Sequence, residues 1–276
     1  MNTDFSLSQP PVAEKIPHET TIHGETRVDP YFWLREDQNP KVIAHLNAEN
    51  TFTESYMQST TELQGALYEE LVTYLVEDDQ SVPRLKSGYW YYTRTEKGKN
   101  YAIYCRRKGS LDAPEQILLD LNVLAEGRDY LNVGVFDVSP DQNTLAYSLD
   151  YDGSEEYTVF FKDLNTDEVQ AQTLTGTYYD FEWSADSQQV FYTTIDEAHR
   201  PYKLYRHVLG SDQLSDVEVF HEPDERFNVG IYKTSSEDYL IINLHSNTTT
   251  ENHYISAHEP EAAPTLIQER IQHHQY

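Results

Sequence analysis

The sequence predicts a mainly β protein, a partial β-propeller of about four blades preceded by an N-terminal arm and a helical segment. Three observations carry that prediction. First, Phe136-Asp137-Val138-Ser139-Pro140-Asp141 followed by Leu145-Ala146-Tyr147-Ser148 recurs as Phe181-Glu182-Trp183-Ser184-Ala185-Asp186 followed by Val190-Phe191-Tyr192-Thr193. A looser copy is Ile231-Tyr232-Lys233-Thr234-Ser235-Ser236-Glu237 followed by Leu240-Ile241-Ile242-Asn243, and the serines at 139, 184 and 235 stand 45 and 51 residues apart, close to the length of a four-stranded blade. Second, beyond residue 77 apolar and polar side chains alternate with a period of two. Third, the apolar fraction is only 38%, and 22 tyrosines and 10 phenylalanines, residues that favour strands, supply much of the area available for burial.

Residues 1–37 read as a polar tail and a docking arm. The Asp29-Pro30 turn delivers Tyr31, Phe32, Trp33 and Leu34, too much apolar surface to leave in water. Residues 38–77 read as helical: Pro40 suits a first helical position, and Leu46, Phe52, Tyr56, Leu63, Leu67, Leu71, Tyr74 and Leu75 build an apolar stripe, with Gly65 the expected break between two helices. Residues 78–276 read as the partial propeller, with blades near 82–120, 131–174, 178–220 and 228–268. In each repeat the Ser-x-Asp/Glu turn can hydrogen-bond its own backbone. Two further strand-like runs follow each hairpin, as at Tyr157–Phe161 and Tyr202–Tyr205. A repeat array normally ends in a polar capping unit, and none is visible near Tyr276, so a truncated repeat array is expected.

Formal net charge is −27, from 47 acidic against 20 basic residues, which disfavours nucleic-acid binding except through a local basic patch, and no nucleic-acid partner is expected. The only compact basic run, Arg106-Arg107-Lys108, is expected as a solvated strand end. The single cysteine, Cys105, lies in an alternating strand pattern and is expected as an inert buried thiol, with no internal disulfide. No run approaches the ~18 apolar residues of a membrane span, so a cytoplasmic protein without membrane partners is expected. The eleven histidines lack metal-ligand spacing. Asp150, Asp152, Gly153, Glu155 and Glu156 crowd acidic oxygens around one turn without the spacing of a calcium loop, and read as an acidic hairpin rim. No two of the eleven glycines are four residues apart, which removes any Gly-x-Ser-x-Gly nucleophile elbow. No metal or cofactor is expected.

The arm Asp29–Asp37 resembles the N-terminal segment of the prolyl oligopeptidase family of serine peptidases, and within it the oligopeptidase B branch. The resemblance continues through Ile16-Pro17-His18, Ile22-His23-Gly24, Tyr101–Lys108, Glu115–Asp120, Ala125–Tyr130, Arg200–His207 and Glu222–Phe227. It implies the first four blades of a seven-bladed ring that covers a C-terminal α/β-hydrolase catalytic domain, whose sequence would follow residue 276. The complete enzyme would cut short peptides after basic residues without a cofactor, and this chain would hold none of the Ser/Asp/His triad.

The same resemblance singles out interdomain or substrate-facing positions. Glu156, within Gly153–Thr158, resembles an acid that pairs with an arginine of the catalytic domain near the substrate. Asp129, ahead of Tyr130 and Gly134, resembles an interdomain-bridge acid, where glutamate is usual. Tyr178, five residues before Trp183, resembles an aromatic lining a substrate subsite, while Phe136, Phe181 and Trp183 read as core. Tyr31, Phe32 and Trp33 would dock along the catalytic domain and form an exposed apolar patch without it. The alternative is a non-catalytic propeller scaffold that pairs with itself or with a separately encoded partner.

Overall fold

The computed structural model describes residues 9–276. Two compact units divide in the sequence between Val76 and Glu77.

In the first unit, β1 (His18–Ile22) and β2 (Glu25–Asp29) form an antiparallel hairpin. Its two-residue loop has positive φ at both His23 (55°) and Gly24 (82°), the geometry that matches strand twist in tight hairpins. The Asp29 carboxylate then accepts from the Tyr31 amide at 2.8 Å, and Phe32–Arg35 closes a 3-10 turn. The expectation of an exposed aromatic patch here is corrected. Trp33 is buried and donates its indole N–H to the Glu14 carbonyl at 2.9 Å, and Phe32 stacks on His18 with centroids 3.7 Å apart. The chain folds back over its own aromatics, and only Tyr31 stays exposed.

Asn39 caps α1 (Pro40–Met57) by accepting from the Lys41 amide at 2.9 Å, with Pro40 where its missing N–H costs nothing. The break before α2 (Thr61–Thr73) lies at Gln58–Thr60, not at Gly65, which is inside α2. Thr60 and Thr61 donate their hydroxyls to the Met57 and Gln58 carbonyls and so compete with the helical ladder. A mid-helix glycine costs only about 1 kcal/mol and does not stop a helix. Val42 is the one buried residue of the two helices, whereas Leu46, Leu63, Leu67 and Leu71 are 48–62% exposed.

The second unit is a series of antiparallel meanders in strict sequence order. The first blade is β3 (Arg84–Lys86), β4 (Tyr89–Arg94), β5 (Ile103–Lys108) and β6 (Glu115–Asp120), leading into the short helix α3 (Leu121–Leu124). There follow β7 (Asn132–Val138), β8 (Thr144–Asp150), β9 (Tyr157–Asp163), β10 (Val169–Trp183), β11 (Gln189–Ile195), β12 (Pro201–Val208) and β13 (Val217–His221). The last sheet is β14 (Asn228–Lys233), β15 (Tyr239–His245), β16 (Thr250–Ser256) and β17 (Thr265–Gln268). The long β10 joins the second and third blades: its first part pairs with β9, its last part with β11, and the register breaks on both sides near Thr177. Gly176, at φ 65°, supplies the bend there.

The repeated turns explain the motif. Ser139 Oγ accepts from the Thr144 amide and donates to Asp141, Ser184 Oγ does the same with Gln189 and Asp186, and Gln142 and Ser187 carry positive φ three residues on. In the third copy the equivalent residue is Thr234, not Ser235: its backbone N–H donates to the Tyr239 carbonyl at 2.9 Å, and Glu237 holds the positive φ. Threonine offers the same hydroxyl, which is why the one-residue slip was invisible by pattern.

Apolar clusters fill the spaces between successive blades: Leu118, Leu121, Leu145 and Leu149, then Phe161, Phe181, Trp183 and Val190, then Phe191, Leu204, Val229 and Ile242. Phe136 is half-buried and stacks on Tyr104 at 4.4 Å. Cys105 is buried, which pushes its thiol up to about 11. Arg106 departs from the expected solvated strand end. It is only 3% exposed, lies over the Tyr89 ring at 4.1 Å, and donates to Gln116 and to the Gln142 carbonyl. Those acceptors lie on neighbouring segments and satisfy a guanidinium that local sequence assigns to solvent.

Candidate functional site

Two clusters are built at the ends of the first strands of the blades. One is a rim formed by the β6–β7 link, the β8–β9 hairpin and the bend in β10. Asp150, 1% exposed, shapes the hairpin by accepting from the amides of Asp152 and Gly153 at 2.9 Å and of Glu155 at 3.1 Å. These bonds consume its oxygens, so the acidic turn is held by backbone donors; among the described residues no group of acids, histidines or cysteines is arranged to hold a metal. A Cβ at Gly153 would stand 3.9 Å from the Tyr130 ring, while Tyr179 lies 5.1 Å from Tyr157 and 4.2 Å from Tyr178 by ring centroids. Burial raises the Tyr178 hydroxyl above its ordinary value, with the charges of Glu155 and Asp180 adding to the effect.

The rim gathers the three residues named from sequence. Asp129 adjoins Tyr130, Glu156 adjoins Glu155, and Tyr178 packs on Tyr179. Asp129 and Glu156 are exposed, and among the described residues neither carboxylate has an ion-pair partner. Tyr31, Phe32 and Trp33 belong to the first unit and are held there as described above.

The second cluster was not anticipated. Lys86 from β3, Asp137 from β7, Glu182 from β10, Lys233 from β14 and Glu237 from the β14–β15 turn line one pocket of about 280 Å³, with Gln142, Phe181, Thr234 and Ser235. Lys86 Nζ is 3.9 Å from Asp137 and 4.0 Å from Glu237, and Lys233 Nζ is 3.7 Å from Glu182. The Lys233 amide donates to Glu182 Oε1 at 2.9 Å. Burial raises the Asp137 carboxyl; burial and the Asp137 charge push Glu182 up to about 7. Asp180, two residues earlier and bonded to the Ile231 backbone, is pushed up by burial to about 6. One signal was available: Asp137 and Glu182 occupy the same slot of the repeat, an acid between two apolar residues in each copy.

Among the described residues no helix is long and apolar enough to cross a membrane. The family model described as prolyl oligopeptidase, N-terminal beta-propeller domain, matches residues 10–276. Protease 2 of Moraxella lacunata is 38% identical over 267 residues, covering 94% of this chain and 39% of that protein. Dipeptidyl aminopeptidase BI of Pseudoxanthomonas mexicana is 37% identical over 270 residues, covering 91% and 37%. Among solved structures, oligopeptidase B from Leishmania major superposes with a TM-score of 0.90 at 32% identity, over 96% of this chain and 40% of that one. Oligopeptidase B from Trypanosoma brucei, closed with covalently bound antipain, gives 0.89 at 30% identity, also over 96% and 40%. The chain therefore spans about two fifths of the length of the curated relatives it matches. With the repeated four-stranded blades, the arm and this match from residue 10 to residue 276, the chain belongs to the prolyl oligopeptidase family, as its N-terminal β-propeller domain, and stands on the oligopeptidase B and protease 2 side of it.

Proposed function

We propose that this chain controls access of short peptides to a C-terminal α/β-hydrolase catalytic domain, as the propeller part of an oligopeptidase B-like serine peptidase of the cytoplasm. The observation that carries the reading is the rim: two exposed carboxylates, Asp129 and Glu156, beside the Tyr178 and Tyr179 rings. Carboxylates so placed can pair with arginines of a facing domain, and the rings offer flat apolar surface to a peptide. An overall charge of −27 draws basic peptides toward the protein. In the complete enzyme the bond after a basic residue is cleaved through an acyl-enzyme whose serine, histidine and aspartate come from the catalytic domain. The exposed Tyr31 ring is the part of the arm left for docking there.

The test is the intact mass of the polypeptide carrying this sequence in its native source, labelled with a fluorophosphonate probe for reactive serines. A species more than twice 32.1 kDa that takes up the probe is expected. A folded, unlabelled species of 32.1 kDa would overturn the peptidase reading in favour of a scaffold. In the labelled enzyme, Glu156→Lys lowers kcat/KM for short basic peptides at least about tenfold, because a like charge then faces the arginine or the substrate. An unchanged value would remove Glu156 from that role.

A further inference from the structure

We propose that the pocket lined by Lys86, Asp137, Glu182, Lys233 and Glu237 is a proton-binding site: one proton is shared by the Asp137 and Glu182 carboxylates, and its release switches the pocket from electroneutral to anionic. The proposal does not depend on the peptidase reading. Among the described residues, the charged groups lining the pocket are Lys86 on β3, Asp137 on β7, Glu182 on β10, Lys233 on β14 and Glu237 on the turn after it, and Asp180 lies two residues before Glu182 on β10.

Around the pocket itself, three carboxylates face two ammonium groups, which leaves one excess negative charge unless a proton is held. Asp180 stands apart from this balance because it does not line the pocket. Neither lysine neutralises its partner at hydrogen-bond distance, since the separations are 3.7 and 3.9 Å. The Asp137 and Glu182 side chains are 29% and 18% exposed, so water compensates their charge poorly. Two carboxylates held in one pocket from adjacent blades cannot both ionise without cost, and the second proton to leave is held more tightly than either carboxyl would hold it alone. Separation of β7 and β10 to relieve the repulsion is opposed by the packing of Phe181 and Trp183 against Val135 between the blades, with the Trp183 indole N–H 3.4 Å from the Asp137 carbonyl. The raised Glu182, near neutrality, sets the pH at which the exchange occurs. Above it, the place where the first strands of four blades converge carries a net negative charge and favours cationic ligands. Below it, that attraction is gone.

The test is a pH titration of the side-chain carboxyl carbons by NMR in the whole chain, with residue-type labelling. In the unaltered protein Glu182 titrates near neutrality, and in Asp137→Asn its midpoint falls by at least about one pH unit, a tenfold weaker hold on the proton. Lys86→Met supplies a second variant at a side chain more than half exposed, where folding is not at risk. Losing that cation raises the midpoints of both Asp137 and Glu182. Titration of Glu182 in the ordinary carboxylate range would overturn the proposal. So would a Glu182 midpoint that ignores both substitutions, which would leave burial as its only cause and no proton in common.

Discussion

The His207 imidazole makes the most demanding test of how the blades are tied together. It is completely buried, with Nδ1 2.6 Å from Asp216 Oδ1 and Nε2 2.5 Å from Gln172 Nε2. With Nδ1–H donating to the carboxylate, the Nε2 lone pair accepts from the Gln172 amide, which also donates to the Ser211 carbonyl at 2.8 Å. Asp216 takes a second bond, from the Tyr192 hydroxyl at 2.8 Å. Gln172 lies in the part of β10 that belongs to the second blade, while His207 is on β12 in the third, so one ring fastens two blades. His207→Phe keeps the aromatic volume and deletes both bonds. A hydrogen bond to a buried charged group is worth about 1.5–3 kcal/mol and a neutral one about 1, so the loss is about 2.5–4 kcal/mol. In a domain of this size that lowers Tm by roughly 10 °C. His207→Asn places a side-chain N–H near the position of Nδ1, retains the bond to Asp216, and recovers about half the loss. Urea and thermal unfolding followed by circular dichroism measure both variants. A loss below about 1 kcal/mol in His207→Phe, or no recovery in His207→Asn, would refute the assignment of a tie between blades and leave only ring packing.

Two further outcomes follow from the same geometry. A Cβ at Gly134 would stand 2.8 Å from the Tyr157 ring and 2.9 Å from Ser148 Oγ, both fully buried, so Gly134→Ala costs about 1–3 kcal/mol in urea unfolding; a neutral result would mean that the second blade is looser than its packing implies. Asp180, raised from 3.8 to about 6, binds its proton more tightly folded than unfolded, so its contribution to stability is full below about pH 4 and is lost as pH rises through 6. The shift corresponds to about 3 kcal/mol, and Asp180→Asn, which still accepts from the Ile231 amide, flattens the decline in stability between about pH 4 and pH 7. A wild-type decline that persists unchanged in that variant would assign the pH dependence elsewhere.

The contrast between Trp183 and Arg106 shows where local pattern stops being informative. Trp183 sits in an alternating run, with Phe181 two residues before it and Ala185 two after, so periodicity alone places it inward, and the structure buries it completely. Arg106 sits in an equally regular strand, yet its burial depends on Tyr89, Gln116 and the Gln142 carbonyl, one of them 36 residues away on the next blade. A period of two states which face a side chain leaves from; it does not state what the adjoining blade offers there. The same limit hides both charged clusters. Asp137 and Glu182 are visible as a repeated slot, but their lysines come from β3 and β14, brought together only by the convergence of first strands. On the rim, Asp129, Glu156 and Tyr178 were singled out by family resemblance rather than by physics, because an exposed acid in a turn looks the same in sequence whether it faces water or a partner. What the structure adds is that turns from two links and one bent strand bring them to the same end of one blade. Polar groups therefore resist sequence reading in this fold for one reason: their partners lie across blade interfaces, at separations where apolar periodicity carries no signal.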